Sequence, residues 1–219
     1  MKYISTKNMS HEDWLRARQN GIGGSDAWKI VLPEDEYKKA GCGKLYLEKI
    51  AEEVHDEPSL AARRGTYDEQ FIADEFERRT GYKVHRVNSI MVSDEHPFMF
   101  ANIDRKLSGK EEGLECKTTS YVMSRMTIFD EEAQKTRWIS RFIEGDMENS
   151  LKNRMDWYIQ IQHYMAVTGW KMWYLAVGID INQFMYYPIP RDEPYIEYLI
   201  EEEEKFWGCV QRRENIWEE

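Results

Sequence analysis

The sequence has few cysteines and no long apolar segment. Its 219 residues include three cysteines, Cys42, Cys116 and Cys209. An odd count at wide spacing predicts free thiols, and it excludes a disulfide framework, a cysteine-rich metal site and a four-cysteine iron–sulfur cluster. The longest apolar runs, such as Met172–Ile179, fall far short of the roughly 20 residues that a membrane helix needs. The first residues carry no apolar signal segment, so we expect a cytoplasmic protein with no membrane partner.

An excess of basic residues is also missing. The chain has 40 Asp or Glu against 30 Lys or Arg, a formal net charge of −10, which argues against a general nucleic-acid coat. The charge is uneven, because residues 1–50 sum to +2 and residues 191–219 to −6. A locally basic channel therefore stays compatible with DNA binding. Within the acidic end, we interpret the run Glu201–Glu204 as a solvated helix face.

The order of predicted elements indicates one α/β domain over residues 1–219. Hydrophobic residues make up 42% of the chain, which is enough for a sizeable core, and no repeat or linker divides it. Helical patterns cover residues 10–20, 27–31, 45–54, 59–80 and 151–167, and the chain from 193 onward. Strand-like runs cover residues 83–92, 98–103, 114–118, 172–179 and 184–189. A small central mixed β-sheet flanked by helices fits this order best.

The residues with the clearest chemical pattern are Asp104, Glu115 and Lys117. The two acids lie at the ends of short apolar strands joined by a turn over residues 108–113, so antiparallel pairing would bring them together. Side chains alternate along a strand, which places Glu115 and Lys117 on one face. Two carboxylates suit Mg²⁺, and a lysine beside them can orient a metal-bound water. Taken alone, Glu-x-Lys is also typical of an ion pair on a surface strand, and both interpretations stay open at this point.

Two helical residues extend this pattern. Glu69 lies on a helix face whose neighbours three, four and seven positions on are apolar, where an unpaired charge is costly. A salt-bridged edge position is the alternative. Gln160 shares its helix face with aromatic and aliphatic residues, and the alternative for it is a buried structural glutamine.

A glycine-rich turn, Gly21–Asp26, opens a predicted helix and forms a second candidate site. Backbone N–H groups at a helix N-terminus, together with the Ser25 hydroxyl, favour phosphate binding. Arg18 lies seven residues before Ser25 and could contact a phosphate through two N–H groups. A plain helix N-cap is the alternative interpretation.

In this order along the chain, these elements resemble the phage lambda exonuclease and YqaJ-like viral recombinase family, within the PD-(D/E)XK nuclease superfamily. The resemblance extends from about Trp14 to Ile189. The matching elements are Trp14-x₃-Arg18-x₂-Gly21-Ile22-Gly23-Gly24-Ser25, Gly65-x₃-Glu69, Asp104, Glu115-Cys116-Lys117, Gln160-Ile161-Gln162 and Val167-Thr168-Gly169. The residue before Asp104 is Ile103, whereas the superfamily is named for a proline there.

The resemblance implies a restriction-endonuclease-like core and a role for each matched residue. Asp104 and Glu115 would bind the metal, with the backbone carbonyl of Cys116 as a further ligand and its thiol incidental. Lys117 would be the catalytic lysine, and Glu69 the helical acid near a second metal position.

Two further roles concern water and DNA. Gln160 would help to position the attacking water. Arg18 and Ser25 would bind the 5′-phosphate of the strand being degraded.

The function implied is a 5′→3′ exonuclease on double-stranded DNA ends. It would depend on Mg²⁺, with Mn²⁺ as a substitute and two ions in the site, and would act in phage-type recombination in a bacterial host. The resemblance also implies a homotrimer around DNA and a single-strand annealing protein as partner. An endonuclease of the same superfamily, or a non-catalytic DNA-mimicking or nuclease-inhibiting phage protein, are the alternatives. The stretch between Lys117 and Gln160 looks longer than in lambda exonuclease, which suggests a lid or an altered DNA contact.

Overall fold

The protein is described here from a computed structural model that covers residues 1–32, 41–54, 58–120, 125–130, 135–140, 142, 146–152, 154–180 and 183–217. The helices are α1 (His11–Gln19), α2 (Gly24–Val31), α3 (Cys42–Ile50), α4 (Leu60–Thr80), α5 (Met147–Leu151), α6 (Met155–Thr168) and α7 (Glu193–Arg212). The strands are β1 (Lys2–Ser5), β2 (Ile22–Gly23), β3 (Val84–His85), β4 (Ser89–Val92), β5 (Met99–Ala101), β6 (Arg105–Leu107), β7 (Glu112–Thr119), β8 (Arg125–Asp130), β9 (Lys135–Ser140), β10 (Met172–Ile179) and β11 (Gln183–Pro190). None of the described helices is long and apolar enough to span a lipid bilayer.

A five-stranded mixed sheet in the order β11-β10-β7-β6-β3 forms the centre of the fold. Strand β7 pairs in parallel with β10 and antiparallel with β6, with Arg105 opposite Leu114. Helix α4 packs on β7 through Ile72, Ala73 and Phe76, which are buried. A mixed sheet flanked by helices is therefore present, as predicted.

A second sheet, which the sequence analysis did not predict, lies beside the first. It has four strands in the order β1-β4-β5-β2. The predicted strand over residues 98–103 contributes β5 to this sheet. Helix α6 packs beneath both sheets, and its buried residues Ile161 and Met165 belong to the largest apolar cluster. The helix that carries Gln160 thus contacts both sheets.

Helix ends follow local signals where these exist. Helices α4 and α6 end at Gly81 and Gly169, which adopt the left-handed φ values of 75° and 74° that glycine tolerates best. Helix α3 was predicted over 45–54 but covers Cys42–Ile50, because Ala51 is already extended. The helix predicted over 151–167 is α6, which begins at Met155 because Arg154 has a non-helical backbone, and Leu151 instead ends α5.

The acidic run Glu201–Glu204 is not uniformly solvated, which corrects our interpretation. Glu203 is fully buried in α7, and its Oε1 lies 2.8 Å from His163 Nδ1. The other ring nitrogen of His163 donates to the Phe100 carbonyl at 2.9 Å. Burial raises the pKa of Glu203, and the adjacent Glu203 carboxylate raises the pKa of His163 although burial opposes this. A buried ion pair thus joins α6, α7 and β5.

Two predictions fall on residues outside the described part of the chain. Much of the proposed lid lies at residues 121–124, 131–134, 141, 143–145 and 153. The connection expected between the strand-like runs 172–179 and 184–189 includes residues 181 and 182, which are likewise not described.

Candidate active site

Asp104 lies where the chain passes from the four-stranded to the five-stranded sheet. Strand β5 ends at Ala101, and β6 begins directly after Asp104. The Oδ2 atom of Asp104 accepts a hydrogen bond from the Cys116 backbone N–H at 2.8 Å. Asp104 therefore lies beside β7, but the strand before it does not pair with β7. The short strand β6, which follows Asp104, makes that pairing instead, and this corrects the sequence prediction.

Glu115, Lys117 and Gln160 form a closed hydrogen-bonded cluster. Glu115 and Lys117 project from the same face of β7, and Lys117 Nζ lies 2.7 Å from Glu115 Oε1. Lys117 Nζ also donates to Gln160 Oε1 at 2.8 Å, and Gln160 Nε2 donates to Glu115 Oε1 at 2.7 Å. The glutamine is thus part of the charged cluster, and its amide orientation is fixed by a donor on one side and an acceptor on the other.

Burial and mutual repulsion make this cluster hard to ionise. Burial raises the pKa of Asp104 well above its usual range, and the charges of Glu115 and Glu69 raise it further. Burial likewise raises the pKa of Glu115, although Lys117 opposes this. For Lys117, burial favours the neutral amine, but the carboxylates of Glu115 and Asp104 outweigh it and raise the pKa. A further positive charge is therefore needed before both acids ionise readily.

Glu69 reaches this cluster from helix α4 and is itself ion-paired. Its Oε1 accepts from Arg105 Nη1, and Arg86 Nη2 lies 3.7 Å away. Glu69 is therefore salt-bridged, which is the alternative that the sequence analysis left open. The charge of Glu69 also raises the pKa of both Asp104 and Glu115, so Glu69 interacts electrostatically with both acids.

The donor set fits a hard divalent cation such as Mg²⁺. Among the described residues, Glu115 Oε2 is buried and has no hydrogen-bond partner, although a buried carboxylate oxygen normally has one. Asp104 lies beside it, whereas burial and the Asp104 charge raise the pKa of the Cys116 thiol and keep it neutral. No group of three or more His, Cys, Asp or Glu side chains in the described ranges is arranged to bind a metal. A few carboxylates completed by a carbonyl, water and phosphate oxygens are what Mg²⁺ prefers.

Tyr164 is a member of the site that the sequence analysis did not single out. Its hydroxyl accepts from Gln160 Nε2 at 2.8 Å and donates to the Asn102 carbonyl at 3.0 Å. The ring packs against the glycine-rich turn, where a Cβ added to Gly24 would lie 2.5 Å from Tyr164 Cε1. The spacing of four residues on one helix face was the available signal.

The glycine-rich turn places Arg18 and Ser25 in contact. Arg18 Nη2 donates to Ser25 Oγ at 2.8 Å, and the guanidinium lies 4.8 Å from the Trp14 ring centroid. The N-cap of α2 is Gly23, which has no side-chain cap. Ser25 is therefore not the helix cap, and its hydroxyl lies inside the first turn beside the guanidinium.

Asp26, also missed in the sequence, fixes this turn. Its Oδ2 accepts from the Gly23 N–H at 3.2 Å and from Lys49 Nζ at 2.8 Å. Although burial opposes ionisation, the charges of Lys49, Arg18 and Lys29 lower the pKa of Asp26 to about 2. The turn thus has a buried anion surrounded by three cations, which leaves the turn electropositive.

The turn lines a cleft of about 130 Å³ together with Gln160, which belongs to the carboxylate cluster of Asp104, Glu115, Lys117 and Gln160. Its lining includes Trp14, Arg18, Gly23, Gly24, Ser25, Ile90, Phe100, Asn102, Gln160 and Tyr164. Gln160 and Tyr164 thus connect the two candidate sites that the sequence suggested separately.

The fold is the restriction-endonuclease-like fold that the sequence analysis predicted, and it is similar to that of solved exonucleases. The alkaline exonuclease LHK-Exo from Laribacter hongkongensis is similar with a TM-score of 0.69, over 92% of this chain and 93% of its own, at 17% sequence identity. A phage-related exonuclease from Haemophilus somnus 129PT is similar with a TM-score of 0.59, over 88% of this chain and 96% of its own, at 12% identity. At these identities the similarity establishes the fold.

The family follows from the sequence comparison. Residues 13–171 match the model of the YqaJ-like viral recombinase domain, and the chain belongs to this family. The uncharacterised protein YqaJ of Bacillus subtilis (strain 168) is 35% identical over 204 residues. That alignment covers 91% of this chain and 56% of the relative, so the chain spans little more than half of the relative's length. The family resemblance seen in the motifs is thereby confirmed.

Proposed function

We propose that this chain is a Mg²⁺-dependent deoxyribonuclease that degrades double-stranded DNA from its ends in the 5′→3′ direction. The observation that supports this best is the shared cleft, which is lined by Gln160 of the carboxylate cluster and by Arg18 and Ser25 of the basic turn. A nuclease that recognises a terminal phosphate needs its phosphate-binding residues and its catalytic residues about one nucleotide apart.

Asp104, Glu115 and the Cys116 carbonyl would hold the catalytic cation. Bound there, Mg²⁺ would supply charge stabilisation for the scissile phosphate and would acidify water. The unpartnered Oε2 of Glu115 favours this assignment, because a buried carboxylate oxygen with no hydrogen-bond donor is available to bind a cation. We further propose Glu69 as the acid nearest to a second ion.

Lys117 and Gln160 would act on the attacking water and the phosphate. Lys117 Nζ has three N–H donors, of which Glu115 and Gln160 engage two. The third can hydrogen-bond to the nucleophile or stabilise the developing charge. Gln160 holds the ammonium in place, and Tyr164 holds Gln160.

Arg18 and Ser25 would set the polarity of degradation by binding a 5′-phosphate. Arg18 uses Nη2 for Ser25, and its other N–H groups can bind a phosphate. The helix N-terminus at Gly24 adds backbone N–H donors. LHK-Exo has been crystallised with dAMP, so a nucleoside monophosphate is a suitable small probe of this cleft.

Membership of the YqaJ-like viral recombinase family supports a proposal for the biological setting. We propose that the chain acts in recombination in the cytoplasm of a bacterial host, as a phage or prophage product. Degradation from the 5′ end would leave 3′ single strands, which would pass to an annealing protein. Three copies of the chain would surround the DNA.

The experiment is a cleavage assay with Mg²⁺ on three substrates: linear duplex with a 5′-phosphate, linear duplex without one, and a closed circle. We expect loss of the linear DNA, faster with the phosphate, and survival of the circle. Cutting of the circle would indicate an endonuclease. No cleavage with Mg²⁺ or Mn²⁺ would refute the nuclease proposal and favour a non-catalytic binding protein.

The catalytic role of Lys117 is tested in the same assay. Lys117→Ala should abolish cleavage while DNA binding stays nearly intact. Lys110→Ala is the matched control, because Lys110 lies in the turn of the same hairpin and pairs with Glu112. Equal loss of cleavage and binding in Lys117→Ala would contradict the catalytic assignment.

A further inference from the structure

Arg105 is a buried cation inside the carboxylate cluster that the proposed mechanism does not use. It is the first residue of β6 and is 2% exposed. Its Nη1 contacts Glu69 Oε1 and donates to the Asp104 carbonyl at 2.7 Å. Its Nη2 donates to Gln70 Oε1 at 3.1 Å. One guanidinium thus binds both the helical acid and the backbone of a proposed metal ligand.

Glu69 is the carboxylate that compensates this buried charge. The other acceptors of Arg105 in the described chain are a backbone carbonyl and an amide, which are neutral. Removing the carboxylate from a buried cation is strongly unfavourable, because the charge keeps its desolvation cost and loses its attraction. Glu69 therefore cannot turn fully toward a second metal ion unless another negative group approaches Arg105 or the ion.

The charges of the cluster lead to the same conclusion. In the most negative state of this cluster, with all three acids ionised, Asp104, Glu115 and Glu69 carry three negative charges, and Lys117 and Arg105 carry two positive ones. One divalent ion already makes this cluster net positive. A second ion would then bind against repulsion until a DNA phosphate supplies further negative charge.

We propose that Arg105 is the counter-cation of Glu69 in the DNA-free protein, so that the site binds one divalent ion before DNA arrives and a second ion with the DNA phosphate. This inference rests on the proposed metal-dependent function and makes Arg105 a positioning residue. Glu69 thereby differs from Asp104 and Glu115, because it is paired with an arginine of the same chain until the second ion binds.

The test counts Mn²⁺ bound by the whole chain without DNA, using electron paramagnetic resonance of free Mn²⁺ and titration calorimetry. We expect one ion in the wild type, one ion in Glu69→Gln, and loss of that ion in Asp104→Asn. In Arg105→Gln we expect a second ion, or a first ion bound about tenfold more tightly, because a neighbouring positive charge has been removed. Arg105→Lys keeps the charge and should still bind one ion.

The outcomes separate the inference from the function on which it rests. Two ions in the wild type, reduced to one by Glu69→Gln, would overturn the role of Arg105 and leave the nuclease proposal intact. A folded Arg105→Gln with unchanged number and affinity of ions would also overturn it. No ion in the wild type would overturn the metal site and the proposed function together. If circular dichroism shows Arg105→Gln unfolded, the wild type and Glu69→Gln decide.

Discussion

Replacing Gly24 by alanine should damage both folding and catalysis, because the added methyl group meets Tyr164. The new Cβ would lie 2.5 Å from Tyr164 Cε1 and 3.0 Å from its Cδ1. The Tyr164 ring is 4% exposed and rigid, so it cannot simply rotate away. Overpacking of this kind costs about 1–3 kcal/mol. The gain in helix propensity, about 1 kcal/mol, recovers only part of it.

The expected free energy of unfolding is therefore lower by up to about 2 kcal/mol, which corresponds to a fall in Tm of up to about 8 °C for a chain of this size. Moving the ring also displaces the Tyr164 hydroxyl from Gln160 and Asn102. We expect the rate of DNA cleavage to fall more than DNA binding, since Gln160 holds the Lys117 ammonium.

Gly23→Ala is the control, because its Cβ would lie 3.5 Å from the nearest atom, an ordinary contact. As an N-cap change it should cost only about 0.5–1 kcal/mol and leave Gln160 in place. Combining Gly24→Ala with Tyr164→Leu should remove the clash, so the two stability losses should not add. If Gly24→Ala keeps full activity and its stability loss adds to that of Tyr164→Leu, the contact between this turn and Tyr164 is refuted.

Three further predictions concern buried charges. Glu203→Leu leaves His163 without its partner and should cost about 3–5 kcal/mol in urea unfolding; Glu203→Gln should cost less, since its amide can donate to a neutral imidazole, and a Glu203→Gln protein as stable as the wild type would contradict the ion pair. Asp26 has its pKa lowered from 3.8 to about 2, so its contribution of about 2 kcal/mol is present above pH 3.8 and is lost as the pH falls toward 2. In Asp26→Asn the free energy of unfolding should fall less between pH 3.8 and pH 2. An unchanged fall would contradict the contribution of Asp26. Mn²⁺ at about 100 times its Kd should stabilise the wild type by about 3 kcal/mol in thermal unfolding, and EDTA should reverse this. A stabilisation that persists in Asp104→Asn would place the ion elsewhere.

Local patterns predicted the parts of the site that lie within one element. The period of two in β7 placed Glu115 and Lys117 on one face, where they are 2.7 Å apart. The helical period of α6 placed Gln160 and Tyr164 together. Glycines 81 and 169 gave the ends of their helices, because the left-handed backbone is costly for other residues.

Other features could not be read from the sequence, because they depend on contacts between distant elements. Arg105 follows Asp104 in the sequence like any surface residue, but its charge is buried because α4 brings Glu69 and Gln70 over β6. Glu203 has the sequence context of a solvated acid, and it is buried because His163 lies opposite it, 40 residues away in the chain.

The sequence by itself determined the family, the main helices and strands, and the residue types for the proposed chemistry. The tertiary structure decided how charge is distributed among them. Packing determines which sheet each short strand joins, which acid is paired with an arginine, and how Gln160 comes to line the same cleft as the basic turn. The physical reason is that periodicity fixes the direction of a side chain relative to its own element, whereas the desolvation and pairing of a charge depend on what the other elements place beside it.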